Sequence, residues 1–221
     1  MSVSNQLPLF GDYANPFFEQ SHTQQRIRQA VTECLLLADI EPIPPSYFRI
    51  GSDAVMFPVG EAARLKTNVN AIRLLKSLQF PKPDLTPQEQ EQLLQYVGWG
   101  GLAKVWEQEP FRLMQEGKTA DAVTERWIRQ YGSARLELEN LLTSKEIALA
   151  EASTLNAHYT SRLLVEAIWQ AVSRFGFSGG RILKSAAGTG HFIGIMPDSI
   201  RQVSSVVAVE KDLITGAVRL Y

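Results

Sequence analysis

Apolar positions recur at helical spacing along most of the chain before any strand pattern is met. Ile27, Ala30, Val31, Cys34, Leu35 and Ala38 predict an amphipathic helix over 22–38, after a loose leader over 1–20. Pro42, Pro44, Pro45 and Pro58, interleaved with Gly51 and Gly60, predict a linker or extended crossing over 39–63. Leu65, Val69, Ile72 and Leu75 then predict a helix over 64–79. After a proline-punctuated turn, Thr86 is a candidate N-cap for a short helix over 88–96 that ends in Gly98-Trp99-Gly100-Gly101. Residues 109–152 read as several helices without strand patterning. A polar break over 156–161 precedes a helix over 161–175, with Leu164, Ala167, Ile168, Ala171, Val172 and Phe175 as its expected inner face.

Only the last part of the chain changes period. Arg181 to Ala187 predicts a short strand, Gly188-Thr189-Gly190 a tight turn, and His191 to Met196 a helix cut short by Pro197. Val203 to Val209 is a continuous apolar run, as a buried parallel strand requires, with Glu210 and Asp212 at its carboxyl end and a further helix from about Leu213. The expected fold class is α/β: a truncated Rossmann-like unit of two parallel strands with helices, preceded by a mainly helical N-terminal region. The expected division is 1–63 as leader, helix and linker, 64–152 as a helical region, and 153–221 as an incomplete nucleotide-binding domain. Parallel sheets are normally covered on both faces. Two strands alone are therefore expected to leave an apolar edge exposed and the isolated chain marginally stable.

Composition alters this picture little. The 221 residues are 45% hydrophobic and 20% charged, an ordinary globular balance, and the net charge of −1 carries no bulk attraction to nucleic acid or membrane. Lys66, Arg73 and Lys76 share one helix face, which reads as a solvated basic face ahead of a phosphate-contacting one. Cys34 is the single cysteine and sits in an apolar series, so it reads as a packing residue. With no signal-peptide pattern and no apolar run of spanning length, an intracellular (cytoplasmic), non-membrane protein is expected.

The chemistry-bearing pattern is strand, glycine turn, helix, strand and acid. Gly188 and Gly190 lack a Cβ, so the backbone turns sharply and a ligand can approach closely. Glu210, 22 residues after Gly188, stands where an acid accepts hydrogen bonds from two ribose hydroxyls. Both features fall beyond the carboxyl ends of the strands, where open α/β sheets bind ligands. Adenosine is common to NAD and S-adenosylmethionine. The dinucleotide fingerprint needs a third glycine, and Gly194 arrives one position late for it. Thr160 and Ser161, at a helix start, suit a carboxylate or serve as simple caps. His191 reads as a helix-start residue rather than a base.

At these residues the chain resembles a known family. Asn156-Ala157-His158-Tyr159-Thr160-Ser161, Gly176-Phe177, Gly179-Gly180-Arg181-Ile182-Leu183, Gly188-Thr189-Gly190, Gly194 and Met196-Pro197 resemble the N-terminal methylase region of large adenine-N6 DNA methyltransferases. These are fused to Swi/Snf-type helicases in phages, plasmids and integrative elements, some as antirestriction proteins. Val209-Glu210, Asp212, Thr215-Gly216, Tyr96-Val97-Gly98-Trp99-Gly100-Gly101-Leu102 and Asn70 to Lys76 extend the resemblance over roughly residues 60–221. It implies methyl transfer from S-adenosylmethionine to the exocyclic nitrogen of a flipped adenine in DNA, with downstream methylase and helicase domains as partners. It also implies that Tyr159, Thr160 and Ser161 border the methionine end of the cofactor, that Ala187, Gly188, Thr189 and Gly190 cradle it, and that Glu210 binds the ribose. Two positions depart from the pattern. Lys184-Ser185 replaces an acid and a proline, placing a charge that repels an ammonium, and His191 replaces an asparagine.

Adenine methylation also needs an Asn/Asp-Pro-Pro-aromatic loop. The chain contains none; Asn15-Pro16-Phe17-Phe18 lacks the second proline and a preceding strand. No catalytic residue is therefore assigned, and activity of this chain alone is not expected. The competing expectations are a non-catalytic remnant or DNA/protein-interaction module, and a NAD-binding oxidoreductase fragment.

Overall fold

A computed structural model describes residues 49–78, 85–118 and 121–219, within one compact unit that spans Pro42–Tyr221. The leader, the helix expected over 22–38 with Cys34, the Asn15–Phe18 string and the start of the proline-rich stretch lie outside the described residues.

Helix α1 (Glu61–Ser77) starts earlier than the apolar spacing predicts, with Glu61 in its first turn and Lys76 in its last, each at the dipole end that favours its charge. Leu65, Val69, Ile72 and Leu75 are buried as expected, together with Asn68. Helix α2 (Pro87–Leu94) carries the full capping box that Thr86 announces. The Thr86 amide donates to Glu89 Oε2 at 2.8 Å, and the Glu89 amide donates to Thr86 Oγ1 at 3.3 Å. A 3₁₀ turn (Ala103–Trp106) and α3 (Gln108–Gln115) follow. Then α4 (Ala122–Trp127) runs through a π-helical segment (Ile128–Gly132) into α5 (Ser133–Leu141), and a second capping box from Thr143 and Glu146 opens α6 (Ser144–Ser153).

The basic face of α1 is not a free one. Arg73 pairs with Glu137 of α5 at 2.6 Å, and Lys76 pairs with Glu146 of α6 at 2.7 Å. Those charges tie helices together, while Lys66, Arg73 and Lys76 all remain exposed, in keeping with the reading of a solvated face. The main core is built from α1, α5 and the Tyr96–Leu102 loop: Tyr96, Leu102, Ile72 and Leu138 are each 0% exposed. Trp99 meets Trp106 edge-on at 4.7 Å between ring centroids.

Helix α7 (Arg162–Arg174) leads to β1 (Arg181–Ser185), α8 (His191–Gly194), α9 (Asp198–Arg201), β2 (Ser205–Val209) and α10 (Leu213–Arg219). The strands pair in parallel, with Arg181 opposite Ser205 and Ser185 opposite Val209. The fold is thus α/β, with a two-stranded parallel sheet among the described residues. Both strands are shorter than predicted: Ala186 and Ala187 already belong to the turn, and Val203 lies outside β2 at 61% exposed.

The inner face of α7 also needs correction. Val165 and Trp169 are the buried positions, whereas Leu164, Ile168 and Phe175 are 52%, 36% and 89% exposed. The Trp169 indole N–H donates to the Phe192 carbonyl at 2.9 Å, which sets the rotation of the helix over α8. On the sheet, Leu183 is 67% exposed and Val209 40%, in line with the expectation of an incompletely covered sheet. Last, α10 returns Ile214 and Val218 to the main core, so the α/β part and the helical part share packing.

Candidate functional site

The site forms where β1 and β2 end. Past Ser185 the chain enters the left-handed region at Ala186 (φ 54°), again at Gly188 (φ 60°) and at Gly190 (φ 85°). The glycines adopt this without Cβ strain. The Ala187 amide continues the ladder by donating to the Val209 carbonyl at 2.9 Å, and Gly190 heads α8.

Glu210 points toward the bend. Its Oε2 accepts the Gly188 amide at 2.8 Å, and its Oε1 accepts the amides of Lys211 at 2.9 Å and Asp212 at 3.0 Å. An ionised carboxylate offers about four acceptor positions, so this cradle fixes the group and leaves capacity for an incoming hydroxyl. Asp212 is spent on capping α10, accepting the Thr215 amide at 2.7 Å.

Tyr159 joins the separate strings. A Cβ at Gly98 would lie 2.9 Å from the Tyr159 ring, and one at Gly188 would lie 3.2 Å from it. The ring is therefore held between the Tyr96–Leu102 loop and the glycine bend. A Cβ at Gly100 would lie only 2.1 Å from the Ala157 carbonyl oxygen, so the two loops are in direct backbone contact. Asn68, 0% exposed, shapes the first loop: its amide donates to the Gly98 carbonyl at 2.6 Å, and its oxygen accepts the Val97 amide at 2.9 Å. Burial pushes the Tyr159 phenol above its ordinary pKa, reinforced by Glu210 and Asp212, and burial does the same to Tyr96. Both phenols stay protonated.

Between these elements lies a cavity of about 380 Å³, within the range of small-ligand sites. Of the residues expected at a site, Tyr159, Thr160, Ala187, Gly188 and Glu210 line it. Ser161, Thr189 and Gly190 do not: Ser161 is exposed and heads α7 without a side-chain cap, Thr189 buries its hydroxyl, and Gly190 turns the chain into α8. The glycine that is late for a dinucleotide turn has a packing role. The Gly194 carbonyl accepts the Ile50 amide at 3.0 Å, and a Cβ there would lie 2.7 Å from the Ile50 side chain. Arg162 holds the same segment by donating to the carbonyls of Gly51 at 2.6 Å and Ser52 at 3.0 Å.

His191 is the first residue of α8, as expected of a helix-start residue, and it is buried there. It is 5% exposed, lines the cavity, and lies 5.6 Å from the Tyr159 ring and 5.3 Å from the Phe57 ring. Its Nε2 stands 3.3 Å from the Leu94 carbonyl; a carbonyl only accepts, so Nε2 carries the hydrogen. Burial lowers its pKa to about 4, with Arg162 adding to the effect against the Leu94 hydrogen bond, so the ring is neutral near pH 7. No signal in the sequence distinguishes such a buried ring from an exposed helix-start residue. Asn68 was equally silent, since its burial follows from a contact with a loop 30 positions away.

Among the described residues no group of acids, histidines and cysteines could hold a metal ion, and no helix is long and apolar enough to cross a membrane. No family model, curated protein or solved structure matches the chain.

Proposed function

We propose that this cavity binds the adenosine part of S-adenosylmethionine, and that the chain is the cofactor-binding start of a Rossmann-like DNA adenine-N6 methyltransferase. The observation that carries the reading is the Glu210 carboxylate held at the glycine bend by the Gly188 amide at 2.8 Å, on the wall of a cavity of ligand size. Glu210 would accept the ribose hydroxyls, the Gly188 backbone would allow close approach, and Tyr159 with Ala187 would border the ligand. Bound there, the cofactor supplies the methyl group.

The residues of this chain bind and orient; none is assigned a step at the reacting nitrogen. The chain contains no Asn/Asp-Pro-Pro-aromatic loop, and we place contact with DNA in the intact protein, with further methylase and helicase domains. A second reading, a non-catalytic interaction module, is favoured by Lys184, whose charge opposes an ammonium on the cavity wall.

Calorimetric titration of the full chain with S-adenosylmethionine tests the first reading. Saturable binding with a raised melting temperature is expected. Neither heat nor a thermal shift at millimolar ligand would remove it.

A further inference from the structure

Lys184 borders the cavity from β1. Its ammonium donates to the carbonyls of Ser185 at 3.1 Å and Ala186 at 2.7 Å, and stands 5.6 Å from the centre of the Phe192 ring. An ammonium has three donors, so one remains. Among the described residues no carboxylate pairs with it. The acids that share the cavity are already engaged: Glu210 takes three backbone amides, and Asp212 caps α10. The left-handed backbone at Ala186, φ 54° on a residue that is not glycine, brings that carbonyl to the lysine.

The other candidate for an anion contact fares worse. Of the Thr160–Ser161 pair expected to receive a carboxylate, Ser161 is exposed and only Thr160 reaches the cavity. Among the described residues two lysines, Lys184 and Lys211, line the cavity, and of the two only Lys184 has its ammonium fixed there, by the Ser185 and Ala186 carbonyls, with no ion pair to Glu210 or Asp212.

We infer that Lys184 is the anion-binding corner of this cavity, and that the adenosine compound held there carries a carboxylate or a phosphate which Lys184 contacts. This rests on the nucleoside reading above and adds the charge of the ligand's second end to it. A ligand whose second end is only cationic is disfavoured; one with an amino-acid carboxylate or a 5′-phosphate is selected.

The test compares adenosine, S-adenosylhomocysteine and adenosine 5′-monophosphate by calorimetry on the full chain. The same three are titrated into Lys184→Met and Lys184→Arg, and the fold of each variant is checked by its melt. At least one anionic compound should bind on the order of tenfold more tightly than adenosine, as a charge-assisted hydrogen bond provides. S-adenosylhomocysteine leading identifies the carboxylate, and the monophosphate leading identifies the phosphate. The advantage should shrink with added salt, vanish in Lys184→Met with adenosine affinity unchanged, and survive in Lys184→Arg. Should Lys184→Met fail to fold, the salt dependence in the unaltered chain and the Lys184→Arg titration decide. Equal binding of all three, or an advantage that Lys184→Met retains, overturns the role of Lys184 and leaves the nucleoside reading standing. If none of the three binds, the nucleoside reading itself falls and takes this role with it.

Discussion

The Glu210 carboxylate and the Gly188 amide meet at 2.8 Å across 22 positions of chain. That bond fastens the tip of β2 to the turn after β1, at the wall of the cavity. Glu210 also gathers the amides of Lys211 and Asp212, which orders the entry to α10. A side chain that holds its own platform so firmly is a preformed acceptor, and little reorganisation is needed when a hydroxyl arrives.

Gly100 should be intolerant of any side chain. A Cβ there meets the Ala157 carbonyl oxygen at 2.1 Å, and backbone cannot swing aside as a flexible side chain would. Gly100→Ala is expected to cost about 2–3 kcal/mol in urea unfolding and to weaken ligand binding, because Ala157 lies two residues before Tyr159. Gly117 is the control: its φ of 67° strains an alanine, but no atom lies within 4 Å of the added Cβ. Gly117→Ala should cost about 1 kcal/mol and leave binding unchanged. Equal costs at the two positions would refute the close loop contact.

Asn68 should matter through the loop it holds. Removing its side chain leaves the Val97 amide and the Gly98 carbonyl without partners in a buried place. Asn68→Ala is expected to destabilise by about 2–4 kcal/mol, measured by chemical denaturation. A loss below about 0.5 kcal/mol would mean that water or another group satisfies both.

Stability should depend on pH through His191. Its folded pKa of about 4 lies below the unfolded value near 6.5, so the unfolded chain binds the extra proton in that interval. The contribution is fully present above about pH 6.5, falls as pH drops toward 4, and levels off below it. The loss should amount to roughly 3 kcal/mol at full expression. Denaturant midpoints between pH 4 and 7 measure it, and His191→Gln should flatten that part of the profile. An unchanged profile in the variant would assign the dependence to other groups.

Much of the local structure was legible because it is set locally. Thr86 with Glu89 marks a helix start by its own hydrogen bonds, and the apolar spacing of Leu65, Val69, Ile72 and Leu75 selects one face of α1. The strand–bend–strand–acid order likewise brought Gly188 and Glu210 to one place. What stayed hidden depends on partners. Helix α7 is apolar on more than one side, and only contact with α8 selects Val165 and Trp169 over Leu164 and Ile168. Arg73 and Lys76 are exposed as read, but nothing in their spacing announces the Glu137 and Glu146 that α5 and α6 bring to them. Gly194 resembled a displaced ligand-binding glycine, but its missing Cβ makes room for Ile50. Such assignments need the distance between segments far apart in the chain, which no spacing rule encodes.

The central claim is that the carboxylate of Glu210 grips a ribose. The direct measurement is the affinity of the full chain and of Glu210→Gln for adenosine and for 2′,3′-dideoxyadenosine. The intact chain should prefer adenosine by about tenfold or more, the value of hydroxyl-to-carboxylate hydrogen bonds. Glu210→Gln should bind both compounds alike at the weaker level. Equal affinity of the intact chain for the two compounds, or a preference that survives Glu210→Gln, would contradict the account.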